Sequence, residues 1–312
     1  MMDYDLFKKV VTERINDFLP PFFTDYDPVV TRVNKINEKK DALTMHSASK
    51  DDGTASPVLY LDDMYKAFIE NEDIETILQE AADVIVNYTG VRKNPSKEFN
   101  FKELQDRIVP NLIGRQYNEE LLMDVPHKEV LDMAVIYRIM MPAGDGGFDS
   151  LVINNHIFDE LEMDLDDMHC LAIKNMKDIL PMECNRISKE EYAKETAPQI
   201  PDSIIFVYTH QNVYGAAYML HEDVMRKFAR KLGCDRLYIV PASINYFAVC
   251  AAKERCLGFL VDHLHELNQD EDSVNGILSK CIYSYDVRKK ILAEAASYDT
   301  TRPSDSALSF LQ

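Results

Sequence analysis

No apolar run in the 312 residues approaches the ~20 that a membrane-spanning helix needs, so no span is expected. Cys-x-x-Cys pairs are also missing. The six cysteines, at 170, 184, 234, 250, 256 and 281, are scattered through the second half, as free thiols in a reducing compartment would be. Positive charge is scarce: 34 Lys and Arg stand against 53 Asp and Glu, a net charge of −19. Such a surface repels phosphate backbones and anionic lipid, which disfavours nucleic acid and membrane as partners. The opening segment MMDYDLFKKVVTERINDFLPPFF carries acids at Asp3 and Asp5 and has neither a basic-then-apolar layout nor a small-residue cleavage site, so no leader is expected. Together these absences point to a cytoplasmic protein.

Catalytic and ligand motifs are missing in the same way. The loop PAGDGGFD, Pro142 to Asp149, has the glycines of a phosphate cradle but neither Gly-x-x-x-x-Gly-Lys-Ser/Thr nor Gly-x-Gly-x-x-Gly, and Asp145 and Asp149 oppose a phosphate; it reads as a hairpin turn. An EF-hand counted from Asn268 needs glycine at position six and glutamate at twelve, and finds Ser273 and Ser279. Gly-x-Ser-x-Gly and Ser-x-x-Lys are absent, which leaves Ser243, after Pro241, as a turn residue.

Among the eight histidines, His263 and His265 project about 200° apart on a helix and cannot share an ion. His127, His156 and His169 lie near Asp124, Glu160 and Asp164 in sequence, without the spacing of a zinc site. No metal and no cofactor is therefore assigned. Cys170 points away from the apolar side of its helix, toward the side carrying Lys174 and Lys177, but His169 projects about 100° away and makes no local dyad with it. Asp132 and Arg138 stand too far apart along one strand to pair, and each is expected to meet a partner on another element.

What is present is a mixture of two periods. From Ser203 to Cys250 two β-rich runs, 203–209 and 213–220, flank His210, Gln211 and Asn212 like a hairpin. A helix follows on Val224, Met225, Phe228, Ala229 and Leu232, stopped by Gly233, and the β-rich runs 237–240 and 244–250 complete a β-β-α-β-β unit. Upstream, Phe7, Val10, Val11 and Ile15 mark a helix. Strand-like runs at 29–36 and 42–48 surround Asn37 to Asp41, 58–61 is a third strand, and helices near 62–70 and 74–90 complete an α-β-β-(β)-α-α unit.

Residues 91–100, VRKNPSKEFN, read as a linker. The run 129–141 alternates as one strand, a helix runs from Asp164 to Pro181, and 182–202 reads as irregular or partly helical. A leucine stripe at 256–267, a strand at 281–285 and a helix near 287–297 follow. The expected organisation is α+β with mainly antiparallel sheets, in units 1–95 and 96–297 with a flexible tail at 298–312.

The ordered set VLYLDDMYKAF (58–68), LLMDVPHKEVLDMAVIYRIM (121–140), SLVINNHIFDELEMDLDDMHCLAIKNMKDILP (150–181), YGAAYMLHEDVMRKFARKLGCDRLYIVPASI (214–244) and CIYSYD (281–286) resembles an uncharacterised domain family found in many divergent copies among clostridial gut bacteria. The resemblance covers nearly the whole chain and implies no activity, ligand or catalytic residue. Asn245 stands where a histidine is usual in similar sequences, which weakens any catalytic histidine at that turn.

With no catalytic constellation in the residue order, the leading reading is a binding protein for a macromolecule or small ligand, acting through a cleft between its two units. The rival is a hydrolase assembled from distant residues such as His127, His156 and Cys170.

Overall fold

The computed structural model describes residues 2–47, 57–70, 73–91, 100–142, 148–192, 198–269, 276–298 and 307–309. The chain divides into two compact units, Met1–Phe99 and Asn100–Gln312.

In the first unit α1 (Tyr4–Arg14) starts where the Asp3 carboxylate accepts from the Leu6 amide at 2.8 Å, and it buries Phe7 and Val11. Strands β1 (Tyr26–Lys35) and β2 (Glu38–Ser47) pair from Tyr26 opposite Ser47 to Lys35 opposite Glu38, and β3 (Leu59–Tyr60) pairs with β2. The sequence places Asn37 to Asp41 in a loop; only Ile36 and Asn37 turn, with Asn37 at φ 61°. The charged residues enter the strand because partners meet them there: Lys8 reaches Asp41 at 2.9 Å and Lys40 reaches Asp63 at 2.8 Å. Helices α2 (Leu61–Ile69) and α3 (Ile74–Val91) close a core of Leu43, Met45, Leu61, Leu78 and Ile85. Of the expected linker, residues 92–99 lie outside the described residues.

The second unit runs β4 (Ile108–Gly114), α4 (Glu119–Asp124), β5 (Lys128–Val130), β6 (Met133–Pro142), β7 (Phe148–Val152), α5 (Asn155–Leu161) and α6 (Leu165–Ile179). It continues with β8 (Met182–Ser188), α7 (Lys189–Tyr192), β9 (Ser203–Thr209), α8 (Glu222–Leu232), β10 (Arg236–Val240), β11 (Phe247–Ala251), α9 (Leu257–Gln269), β12 (Cys281–Asp286), β13 (Ile291–Ser297) and β14 (Ala307–Ser309). Every described strand pairing is antiparallel. β4, β6 and β5 form one sheet, with β7 also on β6; the other has the order β14-β13-β12-β10-β11-β9-β8. With helices packed on antiparallel sheets, the protein is α+β.

The larger sheet is buried on both faces, and strand alternation divides its side chains between them. Ile205, Val207, Leu237, Ile239, Phe247, Val249 and Tyr283 join the core that includes α6, α8 and the smaller sheet. Ile204, Tyr238, Val240, Ala248, Cys250 and Ile282 face Leu260 and Leu264 of α9. α8 ends as its spacing predicts, on Gly233 at φ 63°.

Four expectations are corrected. Residues 213–220 are not a strand: 215–220 form a 3₁₀ helix, and β9 pairs instead with β8 and β11. Thr209 Oγ1 donates to the Val213 carbonyl at 2.7 Å and accepts from its amide at 3.0 Å, so the chain folds back before a hairpin can form. Asn212 and Tyr214, both at φ 56°, complete that reversal. The segment 182–188 is a regular strand, β8, whose polar composition reflects its place at the sheet edge. The run 129–141 is two strands, β5 and β6, joined by Leu131 at φ 57° and Asp132. Residues 291–297 are strand β13 rather than helix, because pairing to β12 outweighs the helical preference of ILAEAAS. Of the tail, residues 307–309 form β14; 299–306 and 310–312, like the glycine-loop residues 143–147, lie outside the described residues.

Candidate functional site

Pro126 forces Val125 into extended backbone (φ −129°, ψ 141°), which ends α4 and delivers His127 to the start of β5. Three residues after that strand begins its pairing with β6, the turn at Leu131 carries Asp132 to the sheet end. A surface cleft of about 750 Å³ opens there, lined among others by Arg115, Glu119, His127, Glu129, Asp132 and, from β13, Glu294. All of its lining residues belong to the second unit. The volume is that of a small-molecule site.

Behind the lining residue Asp132 lies a hydrogen-bonded cluster. Ser279 donates to Asp132 Oδ2 at 2.8 Å, and the Tyr283 hydroxyl lies against both Asp132 Oδ1 and, at 2.7 Å, Ser279 Oγ. Ser279 Oγ also accepts from the Cys281 amide at 2.9 Å. Tyr283 is fully buried, and burial beside the Asp132 carboxylate holds its hydroxyl protonated far above the ordinary tyrosine range. These partners fix Asp132 and use the Ser279 hydroxyl, so Ser279 is a structural tie rather than an available nucleophile.

Toward the mouth, Arg115 pairs with Glu129 at 2.9 Å and donates to the Leu131 carbonyl at 3.3 Å. His127 Nδ1 donates to the Val125 carbonyl at 3.0 Å. Four carboxylates therefore face one already paired guanidinium, and Glu119 and Glu294 have no ion-pair partner among the described residues.

The residues of the hydrolase reading are not gathered here. His127 lines the cleft, His156 pairs with Glu160 at 3.1 Å, and Cys170 is exposed. Among the described residues no hydrogen bond joins any two of them. His169 instead meets the Tyr137 hydroxyl at 3.0 Å, and burial, with Lys128 nearby, pushes its pKa down to about 4. His221, unremarked in the sequence, is buried with Nε2 unpartnered, and burial with Lys177 nearby pushes it down to about 4 as well. His263 stacks on Phe259 and His265 on Tyr298, on ring-centroid distances of 6.0 and 4.5 Å. Ser243 accepts from the Asn245 amide at 3.1 Å within a turn. Among the described residues no group of three or more His, Cys, Asp or Glu could hold a metal ion.

The sequence missed Glu119, Glu294 and Arg115, which lie far apart in the chain and in no motif. Asp132 was expected to meet a partner on another element, and it does so at Ser279 and Tyr283, but its place in a cleft was not visible.

Fold and cleft together define an antiparallel α+β protein with an acid-lined cleft at a sheet end. More particularly, the chain belongs to DUF5688, a family of unknown function, whose model matches residues 4–287. No curated protein and no solved structure matches the chain.

Proposed function

We propose that the protein binds, without chemical transformation, a small polar ligand carrying a protonated amine, in the cleft between α4, the β5–β6 turn and β13. One observation carries this reading: Glu119 and Glu294 face the cleft without ion-pair partners, while its sole guanidinium is held by Glu129. A cation entering the cleft meets uncompensated negative charge on a rigid floor, since Asp132 is locked by Ser279 and Tyr283. Against catalysis, the serine behind Asp132 has its hydroxyl engaged, and the exposed Cys170 lies outside the cleft lining. Six free cysteines support a reducing, cytoplasmic setting.

The test is calorimetric titration of the full chain with a panel of mono- and diamines, with matched carboxylates as controls. Saturable amine binding, weakened at least fivefold in Glu119→Gln/Glu294→Gln, supports the reading. Equal binding by that double variant, or binding of the carboxylates instead, removes it.

A further inference from the structure

A second cluster lies where β6, β7 and the turn before the 3₁₀ helix meet. Arg138 Nε donates to Ser150 Oγ at 3.0 Å and Nη2 to the Ser150 carbonyl at 3.3 Å. The guanidinium lies over the Tyr214 ring, 5.3 Å from its centroid, and the Tyr214 hydroxyl is 2.9 Å from Ser150 Oγ. Tyr214 is held in place by its own backbone: it sits at φ 56°, and its amide donates to Asn245 Oδ1 at 3.1 Å. A bulky residue in that region is costly and persists only where its surroundings impose it.

The charge at this cluster is unbalanced. Burial lowers the Arg138 pKa below the usual arginine value, and the only group that acts in the opposite sense is Tyr214; no carboxylate pairs with Arg138 among the described residues. Largely buried arginines are ordinarily met by an acid, because an uncompensated cation is expensive to desolvate.

Counting hydrogens leads to the same place. A guanidinium has five N–H donors, of which two are used here. The Ser150 and Tyr214 hydroxyls bring two more hydrogens, and their mutual bond uses one. Arg138 Nη1, which has no hydrogen-bond partner among the described residues, is not among the polar atoms sealed in the interior, so it faces a space that solvent or a ligand can reach. Unused donors and one positive charge with no carboxylate to meet it among the described residues are what an oxyanion completes, with Arg the side chain best suited to grip it.

We propose that Arg138, Ser150 and Tyr214 form a binding site for an oxyanion of the carboxylate or phosphate class. Arg138 supplies the charge and two-pronged donor edge, the Ser150–Tyr214 pair supplies one hydroxyl hydrogen, and the Tyr214 ring covers one face of the guanidinium. The site uses none of the residues of the acidic cleft, so it stands whether or not an amine binds there.

The experiment is thermal unfolding of the full chain, followed by tyrosine fluorescence, with sodium phosphate or sodium acetate replacing chloride at constant ionic strength. The expected result is a saturable rise in midpoint with at least one anion; phosphate alone assigns a phosphoryl ligand and acetate alone a carboxylate. Arg138→Gln loses the rise while unfolding in chloride no earlier than the parent, because the half-buried charge it removes has no carboxylate partner among the described residues. Tyr214→Phe keeps the ring and the fold and binds the anion severalfold more weakly. The proposal is overturned by the absence of a saturable rise in the parent, by a rise that Arg138→Gln retains, or by undiminished affinity in Tyr214→Phe.

Discussion

Asp132 and Tyr283, 151 residues apart in the chain, meet side chain to side chain, the Tyr283 hydroxyl donating to Asp132 Oδ1. The contact ties the β5–β6 turn of the smaller sheet to β12 of the larger one. Asp132→Ala removes the acceptor shared by the Tyr283 and Ser279 hydroxyls, leaving them only each other to donate to, and is expected to cost about 3 kcal/mol. Tyr283→Phe leaves the Ser279 bond intact and is expected to cost about 1–2 kcal/mol. Urea unfolding of both variants checks the order; Tyr283→Phe proving the more costly contradicts it.

Stability is expected to fall between about pH 6.5 and about pH 4 through His221. Its folded pKa, about 4, lies below the 6.5 of an exposed histidine, so the unfolded chain binds the proton more readily in that window. The contribution is complete above about 6.5 and is lost as pH falls toward 4, amounting to at most about 3 kcal/mol. His169, also lowered, acts in the same direction. Urea midpoints from pH 7.5 to pH 4.5 test this, and His221→Gln flattens the curve. An unchanged slope in that variant shows that other groups dominate.

How much of this was legible beforehand follows from which forces act locally. α8 could be read from its apolar spacing and Gly233, because an amphipathic helix on a buried sheet writes its period into the chain. The segment 216–219 is buried all round, so it carries no alternation, and its β-rich composition misled. β8 was missed for the opposite reason: an edge strand needs little apolar surface. The cleft was illegible, since Glu119, Asp132 and Glu294 are assembled only when β13 reaches the β5–β6 turn. Arg138 was visible as a charge on a strand and expected to find a partner elsewhere; that the partners are hydroxyls and a ring is a tertiary fact.

Two glycines should respond very differently to alanine. At Gly215 an added Cβ comes to 2.3 Å from the Asn245 carbonyl oxygen and 2.9 Å from Tyr208 Cα, both backbone atoms that cannot yield cheaply. Gly215→Ala is expected to cost 3 kcal/mol or more, on the order of a disrupted core. At Gly233 nothing lies within 4 Å, and only the positive φ of 63° is offended, so alanine costs about 1 kcal/mol. Denaturant midpoints separate the two; similar losses contradict the crowding at Gly215.

The thiols should titrate in order of exposure. Cys170 is exposed and is expected to react with an aromatic disulfide reagent first in the native protein. Cys250 and Cys281 are buried, and burial pushes each up to about 12, so they and the buried Cys256 react only on unfolding. Peptide mapping of the labelled protein checks the sequence of events. Early modification of Cys250 or Cys281 contradicts the core packing.

The placement of β8 bears on how copies of this chain behave in company. It terminates the seven-stranded sheet with Glu183, Asn185 and Arg186 among its seven residues, and Glu183 is held at 2.6 Å by His210. A strand of such character makes a poor template for an incoming extended segment, since charge must be stripped of water before main chains can zip together. Growth into fibres from the β8 edge is thereby opposed.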